Sequence, residues 1–153
     1  MDLLDLKILK ALQSSGRKKN AELARELGVA PSTMMERIRR LEKTGVLQGY
    51  RASIDPKKLG LDIQAFISVT LSRHETEVIR KFEESIRKMP HIRACYHLTG
   101  RFDYLLHVFV GDLDQLGKLV KNRIAALAGF GKSETFLVFS ETKSDNGLPV
   151  SED

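Results

Sequence analysis

Polar and basic side chains cluster on one predicted helix near the N-terminus. The hydroxyls of Ser32 and Thr33 can hydrogen-bond phosphates or bases, and the Glu36 carboxylate can accept from cytosine N4. Arginines farther along the helix can pair with guanine or neutralise phosphates, as can two lysines before the preceding helix. The candidate nucleic-acid contacts are Lys18, Lys19, Ser32, Thr33, Glu36, Arg37, Arg39 and Arg40.

An ordinary solvated helix surface would carry similar charges, with Glu36 and Glu42 as partners of the arginines. The distribution of charge favours the first interpretation. The chain has 25 Lys/Arg and 20 Asp/Glu, a net charge of +5. Residues 1–60 hold 13 basic and 7 acidic side chains, or +6, which leaves 12 and 13, or −1, for residues 61–153. A basic module joined to a neutral one indicates a polyanion-binding head on a body with another task.

No residues have the spacing of a catalytic or metal site. The four histidines, His74, His91, His97 and His107, lack metal-ligand spacing and have no cysteine pair beside them. The chain also lacks a G-x-G-x-x-G segment and a P-loop. We therefore expect no enzymatic activity, no cofactor and no metal, and an enzyme with an accessory head is the least favoured alternative.

Composition places the chain among globular proteins of the cytoplasm. Its 153 residues are 42% hydrophobic, which fits one ordinary domain or two small ones. No apolar run is long enough to span a membrane, and the acidic N-terminus does not resemble a signal peptide. The single cysteine fits a reducing compartment.

Three helices are predicted to position the basic residues. Helical spacing of apolar residues covers 3–14, 21–27 and 31–43, with Asn20 capping the second helix and Pro31 opening the third. A short helix, a turn at Gly28 and a longer helix form the helix-turn-helix pattern. In that pattern the last helix lies in the major groove of DNA.

Residues 46–54 predict a strand, bent at Gly49, that acts as a wing or as a connector. Turn-forming residues 55–60 follow and mark a domain boundary. We expect a helix-turn-helix domain with its connecting strand in residues 1–53, a linker in 54–62, a second domain in 63–143 and a tail in 144–153.

The second domain is predicted to have the order strand–helix–strand–strand–helix–strand. Its strands are expected at 63–71, 92–99, 103–110 and 133–142, with one helix at 75–89 and another that Asp112 caps and Gly129 and Gly131 end. This order is the split βαβ, or ferredoxin-like, arrangement, in which two helices cover one face of a four-stranded antiparallel sheet. The fold class is therefore α+β.

The sheet face away from the helices is predicted to be partly apolar. It would present Phe66, Leu105, Phe109 and either Phe136 or Leu137, mixed with Gln64, Ser68 and His107. Exposed apolar area of this kind usually contacts a partner, so we expect face-to-face packing with a second copy. Scattered surface residues without a partner are the alternative.

Short motifs in both halves of the chain occur together in one order. They are Asp5-x-x-Ile8-Leu9-x-x-Leu12, Glu22-Leu23-Ala24, Arg37-Ile38-x-x-Leu41-Glu42, Gly45-Val46-Leu47-x-Gly49-Tyr50 and Tyr96-x-x-Thr99-Gly100-x-x-Asp103-Tyr104-Leu105-Leu106. Over residues 2–143 the chain thereby resembles the Lrp/AsnC family of leucine-responsive, or feast/famine, transcription regulators. The resemblance implies a sequence-specific DNA-binding regulator, modulated by a small amino acid bound between dimers. It also implies a homodimer that assembles into an octamer or another even oligomer.

The resemblance also assigns an effector loop at residues 99–103. In it, the Asp103 carboxylate suits the ammonium group of a free amino acid, and N–H groups around Gly100 suit its carboxylate. Alternatively, Asp103 only caps the loop at the start of a strand, and Arg101 is a solvated loop residue. The implied effector residues are Thr99, Gly100, Arg101, Asp103, Leu113, Phe136, Leu137 and Val138.

One residue departs from the family pattern at the start of the third helix. The family usually has a serine cap there, and this chain has Ala30. The departure removes a side-chain cap worth about 1 kcal/mol without threatening the fold. An effector-independent architectural DNA-binding protein of the same fold is the alternative function.

Overall fold

The computed structural model describes residues 1–150 and divides the chain into two compact units. The first unit comprises Met1–Ser53 together with the C-terminal segment from Lys143, and the second comprises Ile54–Thr142. The chain therefore passes from the first unit to the second and then back again.

The first unit contains the three predicted helices. They are α1 (Leu3–Ser14), α2 (Asn20–Glu26) and α3 (Pro31–Lys43). At the start of α1, the backbone N–H groups of Asp2 and Asp5 donate to each other's carboxylates, both at 3.0 Å, and so form a capping box. The apolar faces of the helices meet in one core of Ile8, Leu12, Leu23, Ala24, Met34, Ile38 and Leu41.

The turn between α2 and α3 depends on Gly28. Its φ of +67° lies in the left-handed region, where a side chain would be strained. The next N–H, of Val29, donates to the Ala24 carbonyl at 2.9 Å and closes the end of α2. The chain can therefore reverse direction within a few residues and begin α3 at Pro31.

The predicted strand at residues 46–54 is wrong for this chain. These residues form no ladder with any strand in residues 1–150. Strand hydrogen bonds need a neighbour, and Gly49 with φ +136° interrupts the extended run. Val46, Tyr50 and Ile54 remain 49%, 49% and 63% exposed.

The second unit confirms the ferredoxin-like arrangement. Its elements are a short 3₁₀ turn (Lys57–Leu59), β1 (Ile63–Leu71), α4 (Thr76–Arg87), β2 (Ile92–His97), β3 (Tyr104–Val110), α5 (Leu113–Lys118) with a π-helical continuation (Leu119–Ile124), and β4 (Phe130–Leu137). The strands form one antiparallel sheet in the order β2-β3-β1-β4.

Alternation along the central strands places the core on one face of the sheet. Both helices pack on that face through Phe82, Ile86, Leu116, Leu119 and Ile124. The π-helical continuation brings Leu119 and Ile124, five residues apart, onto the same core. The strand residues beneath them are buried: Ala65, Ile67 and Val69 of β1, and Tyr104, Leu106, Val108 and Val110 of β3.

Two sequence predictions about the end of this unit are wrong in detail. β4 occupies Phe130–Leu137 rather than 133–142, because pairing begins at the Phe130–Leu71 pair. The Val138 N–H still donates to the Gln64 carbonyl at 3.0 Å, beyond the end of the strand. Gly131 lies inside β4 instead of ending a helix, and a Cβ there would approach the Thr70 carbonyl oxygen to 2.7 Å.

The outer face of the sheet carries the expected mixture of apolar and polar residues. Phe136 pairs with Phe66 and so shares this face, whereas Leu137 pairs with Ala65 of the core face. The His107 ring stacks on Phe66 at 4.5 Å and contacts Phe109 at 4.9 Å. Its Nε2 also lies 2.8 Å from Gln64 Nε2.

Ala30 occupies the cap position of α3, in the extended conformation that capping residues adopt. The variant Ala30→Ser should gain about 1 kcal/mol, because a hydroxyl there can accept from the free N–H groups of the first turn. Urea unfolding would measure the gain. Ala30→Val, which adds bulk without an acceptor, is the control, and equal midpoints for the two variants would contradict the prediction.

Candidate nucleic-acid interface and ligand loop

The surface of α3 opposite its buried side forms a polar stripe. Met34, Ile38 and Leu41 face the core, so residues at helical spacing on the other side face solvent. Ser32, Glu36 and Arg39, which the sequence analysis named, and Lys43, which it missed, share this stripe and are exposed. Lys43 could have been found, because it follows Arg39 by one helical turn.

Arg37 and Arg40 point instead toward α1, where two aspartates hold them. Arg37 Nη1 donates to Asp2 Oδ1 at 2.7 Å and to Asp5 Oδ1 at 3.0 Å. Arg40 Nη2 donates to both Asp5 oxygens, at 2.9 and 2.7 Å. The Asp5 side chain is 1% exposed, whereas those of Arg37 and Arg40 are 24% and 54% exposed. A buried carboxylate thus joins α1 to α3.

These contacts hold both aspartates in the charged form. The Arg37 guanidinium and the Asp5 N–H lower the pKa of Asp2 to about 2. Burial alone would raise the pKa of Asp5, but the Asp2 N–H and the two arginines outweigh it and keep that pKa below its ordinary value. This role of Asp5 was not predicted from the sequence, although a carboxylate beside the apolar residues of α1 was a usable signal.

The two candidate lysines differ in their contacts. Lys18 Nζ pairs with Glu26 Oε2 at 2.7 Å, so its charge is already partly balanced. Lys19 occupies the cap position of α2 and is exposed. Thr33, at the first turn of α3, is also exposed.

The predicted ligand loop lies between β2 and β3 and is fixed through Asp103. Asp103 Oδ2 accepts from the Leu71 N–H at 2.7 Å, and Oδ1 lies 3.1 Å from His74 Nε2. Burial acts to raise the pKa of Asp103, but the hydrogen bonds with the Leu71 N–H and His74 outweigh this effect. The pKa of Asp103 therefore lies below its ordinary value. Thr99, Gly100 and Arg101 are exposed, and Gly100 has φ +133°. His74 is a neighbour that the sequence analysis missed, because it is 29 residues away in the chain.

The other four predicted effector residues lie at the opposite end of the sheet. Asp103 follows the loop beside Val69 and Leu71, at the end of β1. Leu137 pairs with Ala65 near the start of β1, and Leu113 lies three positions after Val110, the last residue of β3. Six residue steps along the strand separate Ala65 from Leu71, a distance of about 20 Å. Within one chain, the predicted effector residues therefore form two separate groups: a loop cluster (residues 99–103) and an apolar cluster (Leu113 and residues 136–138).

Within residues 1–150, no group of three or more His, Cys, Asp or Glu side chains could hold a metal ion. No helix in the same range is long and apolar enough to cross a membrane.

Comparison with known domains agrees with this geometry. The model of the Lrp/AsnC ligand binding domain matches residues 64–148, more than half of the chain. The chain belongs to the Lrp/AsnC family. A winged helix-turn-helix DNA-binding model matches residues 1–48. The protein is thus a helix-turn-helix DNA-binding transcription regulator with a ligand-binding domain, and the effector-independent architectural alternative is not favoured.

Full-length relatives of this family member have the same organisation. The chain is 35% identical to the leucine-responsive regulatory proteins of Klebsiella pneumoniae and Escherichia coli, over 98% of its own length and 92% of theirs. A Neisseria meningitidis transcriptional regulator, crystallised in complex with L-methionine, is 34% identical with a TM-score of 0.93 and covers 97% of this chain and 96% of its own. An Agrobacterium tumefaciens AsnC-family regulator has 30% identity, a TM-score of 0.91 and 97% coverage of both chains.

The aspartates of α1 should make the stability of the first unit depend on pH. Their pKa values are lowered by folding, so their contribution is complete above the ordinary value of 3.8 and is lost as the pH falls toward 2. Asp5→Asn should therefore lower the unfolding midpoint at neutral pH and flatten its fall below pH 3.8. Circular dichroism melts across this range would measure both effects.

The control for that experiment is Asp114→Asn, which removes the same charge from an exposed pair with Lys118 in the second unit. Its midpoint at neutral pH should match that of the unmodified protein, because exposed ion pairs contribute little. An acid dependence of Asp5→Asn as steep as that of the control would contradict the assignment.

Proposed function

We propose that this regulator binds DNA through the polar stripe of α3 and responds to a free amino acid in the cytoplasm. The observation that supports the proposal is the exposed, basic recognition helix on one unit, with a separate ligand-binding domain in the other. Effector binding would change the DNA affinity by favouring one of two assembly states.

The proposed base contacts come from the N-terminal half of the polar stripe. Ser32, Thr33 and Glu36 lie where a recognition helix meets base edges. Arg39 and the half-exposed Arg40 lie farther along, where phosphates pass. Lys18 and Lys19 add phosphate contacts beside α2. Arg37, held by both aspartates, orients α3 against α1 and contributes less to DNA contact than its position in the sequence suggested.

The loop cluster suits the polar half of an amino acid. An ammonium group has three N–H donors, and Asp103 offers a charged acceptor that is already desolvated in part. Backbone N–H groups around Gly100 can take the carboxylate, with Arg101 nearby. The apolar cluster suits the side chain of an amino acid such as methionine or leucine. The complex of the Neisseria relative with L-methionine supports this ligand class.

The split of the predicted set implies that a complete site needs two chains. Because about 20 Å of strand separates the two clusters in one chain, a ligand the size of an amino acid cannot contact both. The loop cluster of one copy would close on the apolar cluster of another. This arrangement supports an effector site between copies, in a dimer that assembles into an octamer or another even oligomer.

The outer face of the sheet is the proposed contact within a dimer. Phe66, His107, Phe109 and Phe136 form a largely apolar surface that is only partly covered within one chain. Burial and the nearby Arg93 lower the pKa of His107, so this surface carries a neutral imidazole at pH 7. Two recognition helices related by a dimer axis would bind half-sites about 10 bp apart, or a multiple of that spacing.

The roles of two arginines in α3 can be separated by their effect on salt dependence. Arg39→Gln should reduce the slope of log affinity against log salt by about 1, because one phosphate contact is lost. Arg37→Gln should leave the slope unchanged and lower the melting temperature instead. Fluorescence anisotropy with a selected DNA site, over a salt series, measures both. A loss of about 1–3 kcal/mol of specific affinity in Arg37→Gln would instead make that side chain a base contact.

The effector proposal is tested by thermal unfolding with each of the twenty amino acids, L-methionine first. A ligand at about 100 times its Kd adds about 2.7 kcal/mol, a shift of roughly 2–8 °C. Asp103→Asn, which keeps the shape and one acceptor for the Leu71 N–H, should abolish the shift. Leu113→Glu, which places a charge in the apolar cluster, should abolish it as well.

Co-assembly of those two variants tests whether the site is shared between chains. In mixed oligomers, the loop of a Leu113→Glu chain can meet the apolar cluster of an Asp103→Asn chain, and that site is intact. L-methionine binding should therefore return in the mixture, measured by calorimetry after joint refolding. No shift with any amino acid in the unmodified protein would argue against the effector, and no recovery in the mixture would argue against a shared site.

A further inference from the structure

The C-terminal segment 143–150 packs on the DNA-binding unit, although the chain reaches it directly from the last strand of the ligand-binding unit. One side chain of α1 binds it at two points. Gln13 Nε2 donates to the Leu148 carbonyl at 3.0 Å, and the Leu148 N–H donates to Gln13 Oε1 at 2.6 Å. Both backbone groups of Leu148 are thus paired with one carboxamide, as they would be with a neighbouring strand.

The residues before Leu148 are shaped for this contact. The Gly147 N–H donates to Asp145 Oδ1 at 2.9 Å, which closes a tight turn, and Gly147 has φ +96°. A Cβ on Gly147 would overlap the Gln13 carboxamide. Two features therefore favour glycine over any other residue at position 147: the backbone conformation and the close approach of the Gln13 carboxamide.

The segment also borders an apolar groove on the same unit. The groove has a volume of about 590 Å³. Leu9 and Leu12 of α1 form one side, Val46 and Tyr50 another, and Pro149 and Val150 line the remaining edge. The C-terminal segment thus forms part of the wall of this groove, next to its contact with Gln13.

We propose that residues 143–150 form a strap that docks on α1 and links the ligand-binding unit to the DNA-binding unit a second time. The first link is the connector at the junction of Ser53 and Ile54. The second begins at Val138, whose N–H makes the last hydrogen bond of β4, and ends at Leu148.

The strap starts where the apolar cluster of the proposed effector site ends. Residues 136–138 belong to that cluster, so a ligand that reorders them also alters the origin of the strap. Exposed hydrogen bonds such as those of Gln13 contribute little individually, so docking can be reversed by a modest change at the other end. The strap is thus a route from the ligand to the recognition helices. This part of the inference rests on the proposed function.

The experiment compares the unmodified protein with two variants that disrupt the paired hydrogen bonds between Gln13 and Leu148, the clasp, by different means. Gln13→Ala, a change in α1, removes both hydrogen bonds. Gly147→Ala, a change in the strap, displaces the Gln13 carboxamide. Ser144→Ala, a change of similar size in the same segment, is the control. Melting temperatures establish that each variant is folded.

Docking itself is measured by amide hydrogen exchange of the peptide covering residues 143–150, without ligand or DNA. We expect protection in the unmodified protein and in Ser144→Ala, and its loss in the two clasp variants. Exchange of this peptide at the rate of an unfolded chain in the unmodified protein would overturn the strap.

Coupling is measured as the ratio of DNA affinities with and without saturating L-methionine. Allosteric ratios are commonly about 5–150-fold. The clasp variants should lower the ratio toward one, while DNA affinity without ligand and L-methionine affinity each change by less than about threefold, because neither binding surface is altered. An unchanged ratio in both clasp variants would overturn the coupling role, as would a loss of DNA binding without ligand.

The outcomes separate the two proposals. If the unmodified protein binds L-methionine and DNA without any coupling, the proposed regulation and the coupling role both fail, and hydrogen exchange still decides whether the strap docks. If coupling exists and persists in the clasp variants, the proposed function stands and the strap is rejected as its route.

Discussion

The arrangement of the ligand-binding unit depends on the alternation of side chains along β1. Ala65, Ile67 and Val69 face the helices and are buried, so the residues between them must face the other way. β1 also pairs with strands on both sides, which fixes the register of β3 and β4. That register places the 99–103 loop at one end of the sheet and residues 136–138 at the other. A shift of one residue would exchange the two faces of the strand.

In the DNA-binding unit, a buried negative charge has the comparable role. An acidic side chain beside the DNA-binding helix opposes binding to a polyanion. Asp5 of α1 occupies such a position, but it is nearly inaccessible to solvent and accepts hydrogen bonds from two arginines of α3. This charge orients the helix, because its hydrogen bonds with the two guanidinium groups fix α3 against α1. The exposed cations on the side of α3 away from its buried face are Arg39 and Lys43. Net charge on a helix therefore overstates the charge that it offers to DNA.

Local patterns predicted much of this structure, and long-range contacts were the part they could not supply. The bounds of α1 and α3, the burial of Met34 and the order of elements in the second unit followed from helical spacing, strand alternation and turn residues. The strand at 46–54 had suitable residues but no partner within the described chain. The sequence also left Phe136 and Leu137 undecided, because only the register with Phe66 shows which one faces outward.

The candidate sites show the same division. Five of the six residues predicted to be exposed on α3 are exposed, since exposure follows from helix geometry, whereas Arg37 is half-buried. The partners of Arg37, the contact between His74 and Asp103, and the clasp of Gln13 join residues 35, 29 and 135 positions apart. No short-range pattern encodes those separations. The resemblance to a family supplied the predicted effector residues as a set, but only the sheet register showed that one chain divides them between two ends of the sheet.

That division also affects how such a sensor would work in a cell. A pocket whose halves belong to different molecules exists only in the assembled protein. The concentration of pockets therefore depends on the protein concentration even before any ligand binds. The apparent affinity for the amino acid would then rise with the abundance of the regulator itself. A cell that makes more of this protein would not merely hold more sensors. Each of them would respond at a lower amino-acid concentration, so the copy number of the protein would help to set the concentration at which it responds.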